Sequence, residues 1–375
     1  MTDPETSQDG DPQDSHTQDS HAQDSPQPPG TRLDGAALDR LRPLAFSVAY
    51  RMLGSVAEAE DVVQEALLRL SQTEGVRNPD AFVTTVTTRI AIDVLRSARV
   101  RRESYVGEWL PEPLVGPVQS NLPVAMASAP PDAAAHAELA DDLSTAFLVL
   151  LERLTPTERA AFLLHDVLGY SHTEAAGVIG TSEVSARQLA SRARRRIARE
   201  RDDAARSAPS RTTASRTTPG RTAPARTTRV RAEELVTRFL AACEEGAVDP
   251  FLELLAEDVV FTGDGGGKVP PGFSIARPVS GRDTVARLLA VFMRRGAPIH
   301  FEPALVGGEP GLLIVADDVI GGGLIGTWSF EVVDGQVAGI RGVINPEKLR
   351  HLGPQADLER LREWLMNDRQ RRGAR

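Results

Sequence analysis

Two capping boxes and one glycine constrain this chain more than any other local feature. Thr155-Pro156-Thr157-Glu158 and Ser171-His172-Thr173-Glu174 each set a hydroxyl three residues ahead of a glutamate, the reciprocal arrangement that satisfies free donors in a helix's first turn. The first box has proline at the first helical position, where no N–H is required, and its helix runs through Phe162-Leu163-Leu164. The second opens a short helix over residues 174–179 that stops at Gly180, and Ser182 caps a longer helix reaching about residue 199. Short helix, glycine turn, long helix is the outline of a helix-turn-helix. His172 needs no role beyond the capping turn.

The wheel of the third helix supports that outline. Ala186, Leu189, Ala193 and Ile197 make a narrow apolar stripe for packing. Gln188, Ser191, Arg192 and Arg195 fall on the outer side, with Arg187 flanking them. Arginine binds guanine bidentately and glutamine binds adenine, each good pair being worth about 1–3 kcal/mol of discrimination, while the other arginines suit phosphates. The expectation is therefore that this face reads duplex DNA, the alternative being a structural basic helix.

Around this motif the 375 residues divide by composition, and that length suits two or three domains. Residues 1–30 form an acidic tail: six Asp and Glu5 without Lys or Arg give −7 of the net −9. Gln-Asp-Ser repeats make it too polar to fold, so it is expected to be a disordered, solvated tail. Residues 31–103 and 138–203 are helical. Residues 104–137, proline-rich, and 204–229, rich in Arg, Thr and Pro, read as linkers. Residues 230–352 begin with a helical pattern and turn to strand-type runs with Asp-Gly and Gly-Gly turns, an α+β domain. Residues 353–375 close the chain with a charged helix. A single cysteine, Cys243, excludes an internal disulfide framework and a multi-cysteine zinc site, and reads as a small buried residue. With no stretch near 18 apolar residues and no signal segment, the expectation is a cytoplasmic protein without a membrane partner. No metal or cofactor is indicated.

The first helical block carries two further faces. In EAEDVVQEALLRL, residues 58–70, Val62, Val63, Ala66, Leu67 and Leu70 line one side, and Asp61, Gln64 and Glu65 lie on the other. The next helix, from about Pro79 to Arg99, shows Phe82, Val86, Ile90 and Val94 every four residues, predicted to face a core. Arg89, Asp93, Arg96 and Arg99 form the opposite, basic face, suited to a phosphate backbone, with one acid able to accept from a base amino group. Solvated helices carry similar patterns.

Two blocks in this order resemble the extracytoplasmic-function (ECF) RNA polymerase sigma factors. YRMLGSVAEAEDVVQEALLRL is similar to their second region, and LTPTERAAFLLHDVLGYSHTEAAGVIGTSEVSARQLASRARRRI to their fourth. The resemblance covers about residues 33–200 and implies partners, core RNA polymerase and promoter DNA. It implies that Asp61, Gln64 and Glu65 dock on the β′ coiled coil, that Arg89, Asp93, Arg96 and Arg99 engage the −10 element, and that Arg187, Gln188, Ser191, Arg192 and Arg195 serve the −35 element. Members often have Trp where this chain has Val86 and Asn where it has Asp93. Melting about five base-pair steps costs about 7 kcal/mol at roughly 1.4 per step, so strand opening is expected to require the polymerase complex.

The C-terminal domain resembles the SnoaL-like (NTF2-like) cone that one ECF group carries. That group shows three short motifs, which stand here as Trp109-Leu110-Pro111-Glu112-Pro113, as Asp264-Gly265-Gly266-Gly267-Lys268-Val269, and as Asn345-Pro346-Glu347-Lys348-Leu349. Asp is commoner at the position of Glu347. The 43 basic residues include only two lysines, Lys268 and Lys348, and both fall inside these motifs. That placement suggests a need for a point-like ammonium where arginine's planar fork would not serve. The glycine run suits close backbone approach and lacks the ending of a phosphate loop. The expected fold class is thus two all-α sigma domains, the second a helix-turn-helix, followed by an α+β NTF2/SnoaL-like cone.

Relatives of the cone include isomerases and cyclases, but fold alone does not establish chemistry. Asp258, Asp264, Asp317 and Asp318 are the candidate acids, His300 is the only histidine of the domain before Asn345, and no acid/base pair can be read from their spacing. A non-enzymatic, regulatory role in cis is therefore favoured, with a small ligand for the cone cavity as a further expectation. The alternatives are a cyclase- or isomerase-like enzyme fused to a DNA-binding module, and a plain helix-turn-helix repressor. The sequence gives no sign of an anti-sigma partner.

Overall fold

A computed structural model describes residues 34–103, 105–116, 144–206, 226–293 and 296–373. The acidic tail and most of both linkers lie outside these residues, as does the side chain of Arg99.

The first block is three helices: α1 (Gly35–Leu53), α2 (Val56–Gln72) and α3 (Pro79–Glu103). Asp34 caps α1, Gly54 ends it at φ 65°, and Ser55 caps α2 one residue later. Gly54 thereby turns the chain in the left-handed region, where a side chain would be strained. Tyr50, Leu53, Val63 and Leu70 fill the space between the helices. The expected stripe of α3 does meet the core, through Phe82, Ile90 and Val94, but the centre of the inner face lies beside it. Its fully buried residues are Val83, Thr84, Thr87, Thr88, Ala91, Ile92 and Leu95, while Phe82, Val86, Ile90 and Val94 are only half-buried. Three buried threonines lie within the true inner face, and counting apolar residues alone displaced the stripe to its shoulder.

The second block holds α4 (Thr145–Leu151), α5 (Pro156–Phe162), a π-helical turn (Leu163–Val167), α6 (His172–Ile179) and α7 (Glu183–Arg206). Both predicted capping boxes form reciprocally. Gly180, at φ 78°, ends α6, so the helix-turn-helix stands where its sequence signals placed it.

The sequence reads as two modules on a loose tether, but the blocks pack against each other. Leu148, Leu151, Phe162, Ala193 and Ile197 of the second share one core with Tyr50, Leu53, Ile92 and Leu95 of the first. Arg159 is buried at 2% exposure and donates to the Met52 carbonyl at 2.6 Å and to Glu152 at 2.8 Å. A buried guanidinium with a carbonyl and a carboxylate to satisfy it is a costly group to leave unpaired.

The C-terminal domain contains α8 (Arg226–Glu245), α9 (Asp249–Leu254), β2 (Leu255–Asp264), β3 (Val279–Ser280), α10 (Arg282–Met293), β4 (Ile299–Val306), β5 (Glu309–Ala316), β6 (Leu324–Val333), β7 (Gln336–Val343), α11 (Pro346–Leu349) and α12 (Leu358–Gly373). With β1 (Val115–Gly116) they form a mixed sheet of order β1-β4-β5-β6-β7-β2-β3, in which only β2 and β7 run parallel. Register shifts in β5–β6 and β6–β7 bend the sheet, giving the expected cone. One face encloses Phe239, Phe251, Leu289, Trp328 and Phe330. Leu361, Trp364 and Leu365 of α12 pack there too, so the closing helix is part of this domain. Cys243 is buried in the same core, and burial pushes its thiol up to about 12. The other face holds Ala304, Val306, Leu313 and Val343 around Leu110.

Leu110 and β1 come from the first linker. Residues 105–116 are not a spacer but a strap across the C-terminal sheet, with β1 antiparallel to β4 through Val115–Val306. Its prolines, fixed in φ and lacking donors, suit an extended strand at a sheet edge. Among the described residues no helix is long and apolar enough to cross a membrane.

Candidate functional site

The three short motifs converge on one buried carboxylate. Asp264 ends β2 at 0% exposure. It accepts hydrogen bonds from the Tyr105 hydroxyl at 2.5 Å, the Leu110 amide at 2.8 Å and Lys348 Nζ at 2.6 Å. Lys348 also donates to the Leu110 carbonyl, and its ammonium lies 4.1 Å from the Trp109 ring centroid and 4.9 Å from that of Tyr105. Carboxylate, carbonyl and two aromatic faces thus surround one ammonium, a crowded geometry that suits a compact cation. Burial, and then the Asp264 charge, push the Tyr105 hydroxyl well above its ordinary range, so it remains a donor.

The second and third motifs shape this pocket. Asn345 donates to Tyr105 Oη at 2.8 Å and caps α11 by accepting from Glu347 N at 3.0 Å, with Pro346 at the first helical position. The Ile344 and Asn345 amides donate to the Asp264 carbonyl at 2.9 and 3.1 Å. Gly266 stands at φ 57°, and a Cβ there would lie 2.3 Å from Asn345 Nδ2 and 2.7 Å from Tyr105 Oη. Gly265 and Gly267 press likewise on Ser274 and Val106. Lys268 differs from the sequence reading. It is exposed and, among the described residues, pairs with Glu347 at 3.3 Å; the buried, many-sided contact is that of Lys348.

The strap's other side is fastened to the first helical block. Glu112 accepts from Ser55 Oγ and Val56 N, both at 2.7 Å, and from Ala57 N at 3.3 Å. A carboxylate on these free amides meets the positive end of α2. The Glu112 amide donates to the Gly54 carbonyl at 2.8 Å, and Tyr50 Oη donates to the Glu112 carbonyl at 2.5 Å. Trp109 lies on Gly54, where a Cβ would come within 2.8 Å of the ring, and Pro111 is buried beside it. His351 Nε2 is 2.8 Å from the Pro113 carbonyl. Tyr50, Gly54, Tyr105 and His351 were not singled out by sequence reading. Apart from the helix-ending Gly54, each is an ordinary residue locally, and the partner of each is far away along the chain.

The outward faces are less enclosed. On α2, Asp61 and Gln64 are exposed and Glu65 pairs with Arg69 at 2.7 Å. On α7, Arg187 pairs with Glu183 at 2.6 Å, Arg195 donates to Ser191 at 3.0 Å, Arg192 is 3.6 Å from Glu158, and Gln188 is exposed. The face of α3 is divided. Arg96 pairs with Asp93 at 3.0 Å, whereas Arg89 reaches across to α6 and donates to the carbonyls of Val178 at 2.9 Å and Gly177 at 2.8 Å. A cation on the last carbonyls of a helix complements its negative end, so Arg89 here clamps the blocks together.

The candidate acids of the cone stand in different surroundings. His300 Nδ1 lies 2.7 Å from Asp317 and Nε2 3.3 Å from Glu302, and the Asp317 hydrogen bond holds its imidazole above the ordinary range. That group is half open to solvent and none of it lines the cone's cavity. Asp264, the only buried one of the four, is occupied by the strap.

Comparison with known proteins agrees with this layout. The Sigma-70 region 2 family matches residues 37–101, and Sigma-70, region 4 matches residues 144–197. The chain is 38% identical over 330 residues to the ECF RNA polymerase sigma factor SigJ of Mycobacterium tuberculosis, spanning 84% of this chain and 93% of that one. It is 30% identical over 217 residues to the probable ECF RNA polymerase sigma factor SigI of the same species, spanning 57% and 64%. The crystal structure of the M. tuberculosis SigJ superposes with a TM-score of 0.62 at 35% identity, over 85% of this chain and 99% of that one.

Proposed function

The chain belongs to the ECF RNA polymerase sigma factors, and from that premise we propose that its C-terminal cone regulates promoter use in cis through the Asp264–Lys348 latch. The family's partners are core RNA polymerase and promoter DNA. In this reading Asp61, Gln64 and Glu65 meet the polymerase, Arg187, Gln188, Ser191, Arg192 and Arg195 meet the −35 element, and Arg89, Asp93, Arg96 and Arg99 meet the −10 element.

The observation that carries the regulatory part is the strap. One segment accepts the α1–α2 junction on one side and closes a buried ion pair of the cone on the other. Elements 25 positions apart lie about 85 Å apart along B-DNA at 3.4 Å per base pair. Helical blocks in direct contact, with Arg89 2.8 Å from the Gly177 carbonyl, do not span that distance. The compact arrangement is therefore the resting form, and engaging both elements requires the blocks to part. The strap ties the first block to the cone, and Val149 of α4 in the second block packs on the cone's Leu110 core, so strap, cone and the Arg89 clamp together oppose that step. The cone's role is to hold, not to catalyse.

Core polymerase pulled down by the full chain, and run-off transcription from the reconstituted holoenzyme, test the assignment. Asp61→Ala with Gln64→Ala should abolish the pull-down; Arg187→Ala with Gln188→Ala should spare it and abolish run-off. A chain that binds promoter DNA but never captures core polymerase would make it a repressor.

A further inference from the structure

The cone holds a half-open cavity of about 110 Å³ walled by α10, α12, the loop at residues 273–275 and the strands. Phe261, Ile275, Phe301, Ile314, Trp328 and Leu365 give it its character, and none of its lining side chains ionises. Protein interiors leave few voids larger than a water molecule. A dry apolar cavity of similar size, about 150 Å³, accepts benzene. Without charged partners, an ionised guest would lose its hydration uncompensated.

The same walls touch the latch. Gly263 lines the cavity, and so do Val343 and Ile344; their chain neighbours are Asp264 and Asn345. The loop forming one wall lies on both sides of the buried carboxylate. A Cβ on Gly263 would stand 3.2 Å from the Ile275 backbone, and one on Gly265 would stand 2.7 Å from Ser274 Cβ. Closely packed elements of this kind transmit a displacement instead of absorbing it. A guest that fills the void braces this loop and the ends of β2 and β7, and thereby Asp264 and Asn345.

We propose that the cone cavity is an effector site for an uncharged, apolar molecule the size of a single substituted aromatic ring, and that its occupancy tightens the latch. This rests on the latch reading above for its consequence, though not for binding itself. A ligand shifts an equilibrium only by its preference for one state, and here the preference is for the closed strap.

Calorimetric titration of the full chain with toluene, and with benzoate as the charged counterpart, tests the site. Toluene should bind saturably and benzoate about tenfold more weakly or worse. Ile275→Phe and Leu365→Trp, which fill the void from two different walls, should each weaken toluene by at least about tenfold. No saturable toluene binding, equal binding of benzoate, or undiminished binding in both filled variants that fold would overturn it. Hydrogen exchange of residues 105–116 in saturating toluene tests the coupling: protection should rise about threefold. Unchanged or faster exchange would overturn the coupling. Lys348→Met should raise exchange in the same segment while keeping toluene affinity; if it leaves exchange unchanged, the latch reading fails and the binding site stands.

Discussion

Removing the ammonium of Lys348 should open the strap far more than its position near the end of the fold suggests. Asp264 is fully buried and Lys348 Nζ is 2.6 Å from it, with 8% of that side chain exposed. Breaking a buried ion pair by deleting one partner costs about 3–5 kcal/mol, because the remaining charge is stranded. Here the Tyr105 hydroxyl and the Leu110 amide still donate to Asp264, which places Lys348→Met toward the lower figure. At about 1.4 kcal/mol per tenfold, a loss of about 3 kcal/mol speeds opening-limited exchange at the Leu110 amide about a hundredfold. Asp264→Asn paired with Lys348→Met supplies the double-mutant cycle, and the two should couple by about 2 kcal/mol or more. A Leu110 amide that stays protected in Lys348→Met, or a coupling near zero, would refute the reasoning that this pair holds the strap.

Three further outcomes follow from the same geometry. Glu112→Ala frees the first amides of α2 and should cost about 1 kcal/mol of local protection at Val56, read by hydrogen exchange, with Glu112→Gln losing less. Arg89→Ala removes the clamp on Val178 and Gly177, and spin labels on α2 and α7 should show a broader, longer separation; an unchanged distribution would remove Arg89 from the account. Burial raises the Glu309 carboxyl from its ordinary 4.5 to about 7, since Arg341 Nη1 stands 4.0 Å away and offsets the burial only in part, while Glu331 adds to the rise. A carboxyl raised on folding favours the fold below its unfolded value and loses that contribution as pH climbs through about 7. Glu309→Gln should therefore raise the midpoint of thermal unfolding at pH 8 and leave it nearly unchanged at pH 4.

What could be read from the sequence followed how local each signal is. The capping boxes, Gly180 and the stripe Ala186–Leu189–Ala193–Ile197 depend on residues within a turn or two of each other, and all lie where expected. The two lysines, alike in their scarcity, stand in unlike places: Lys348 is buried against a carboxylate, a carbonyl and two rings, whereas Lys268 is exposed beside Glu347. The strap was missed because its partners are remote. Tyr105 meets Asp264 159 residues away, and Tyr50 meets Glu112 62 residues away. A two-residue strand such as β1 leaves no periodicity to detect. Arg89 has the spacing of a DNA-facing residue, and only packing reveals that in this form it serves as a helix cap.

Run-off transcription by the reconstituted holoenzyme, comparing the full chain with its Lys348→Met variant at equal core-polymerase occupancy, tests the central claim most directly. If the latch restrains the blocks, the variant should yield several times more transcript from the same promoter, with an unchanged start site. Equal or lower output, alongside the accelerated exchange at Leu110, would contradict a restraining latch.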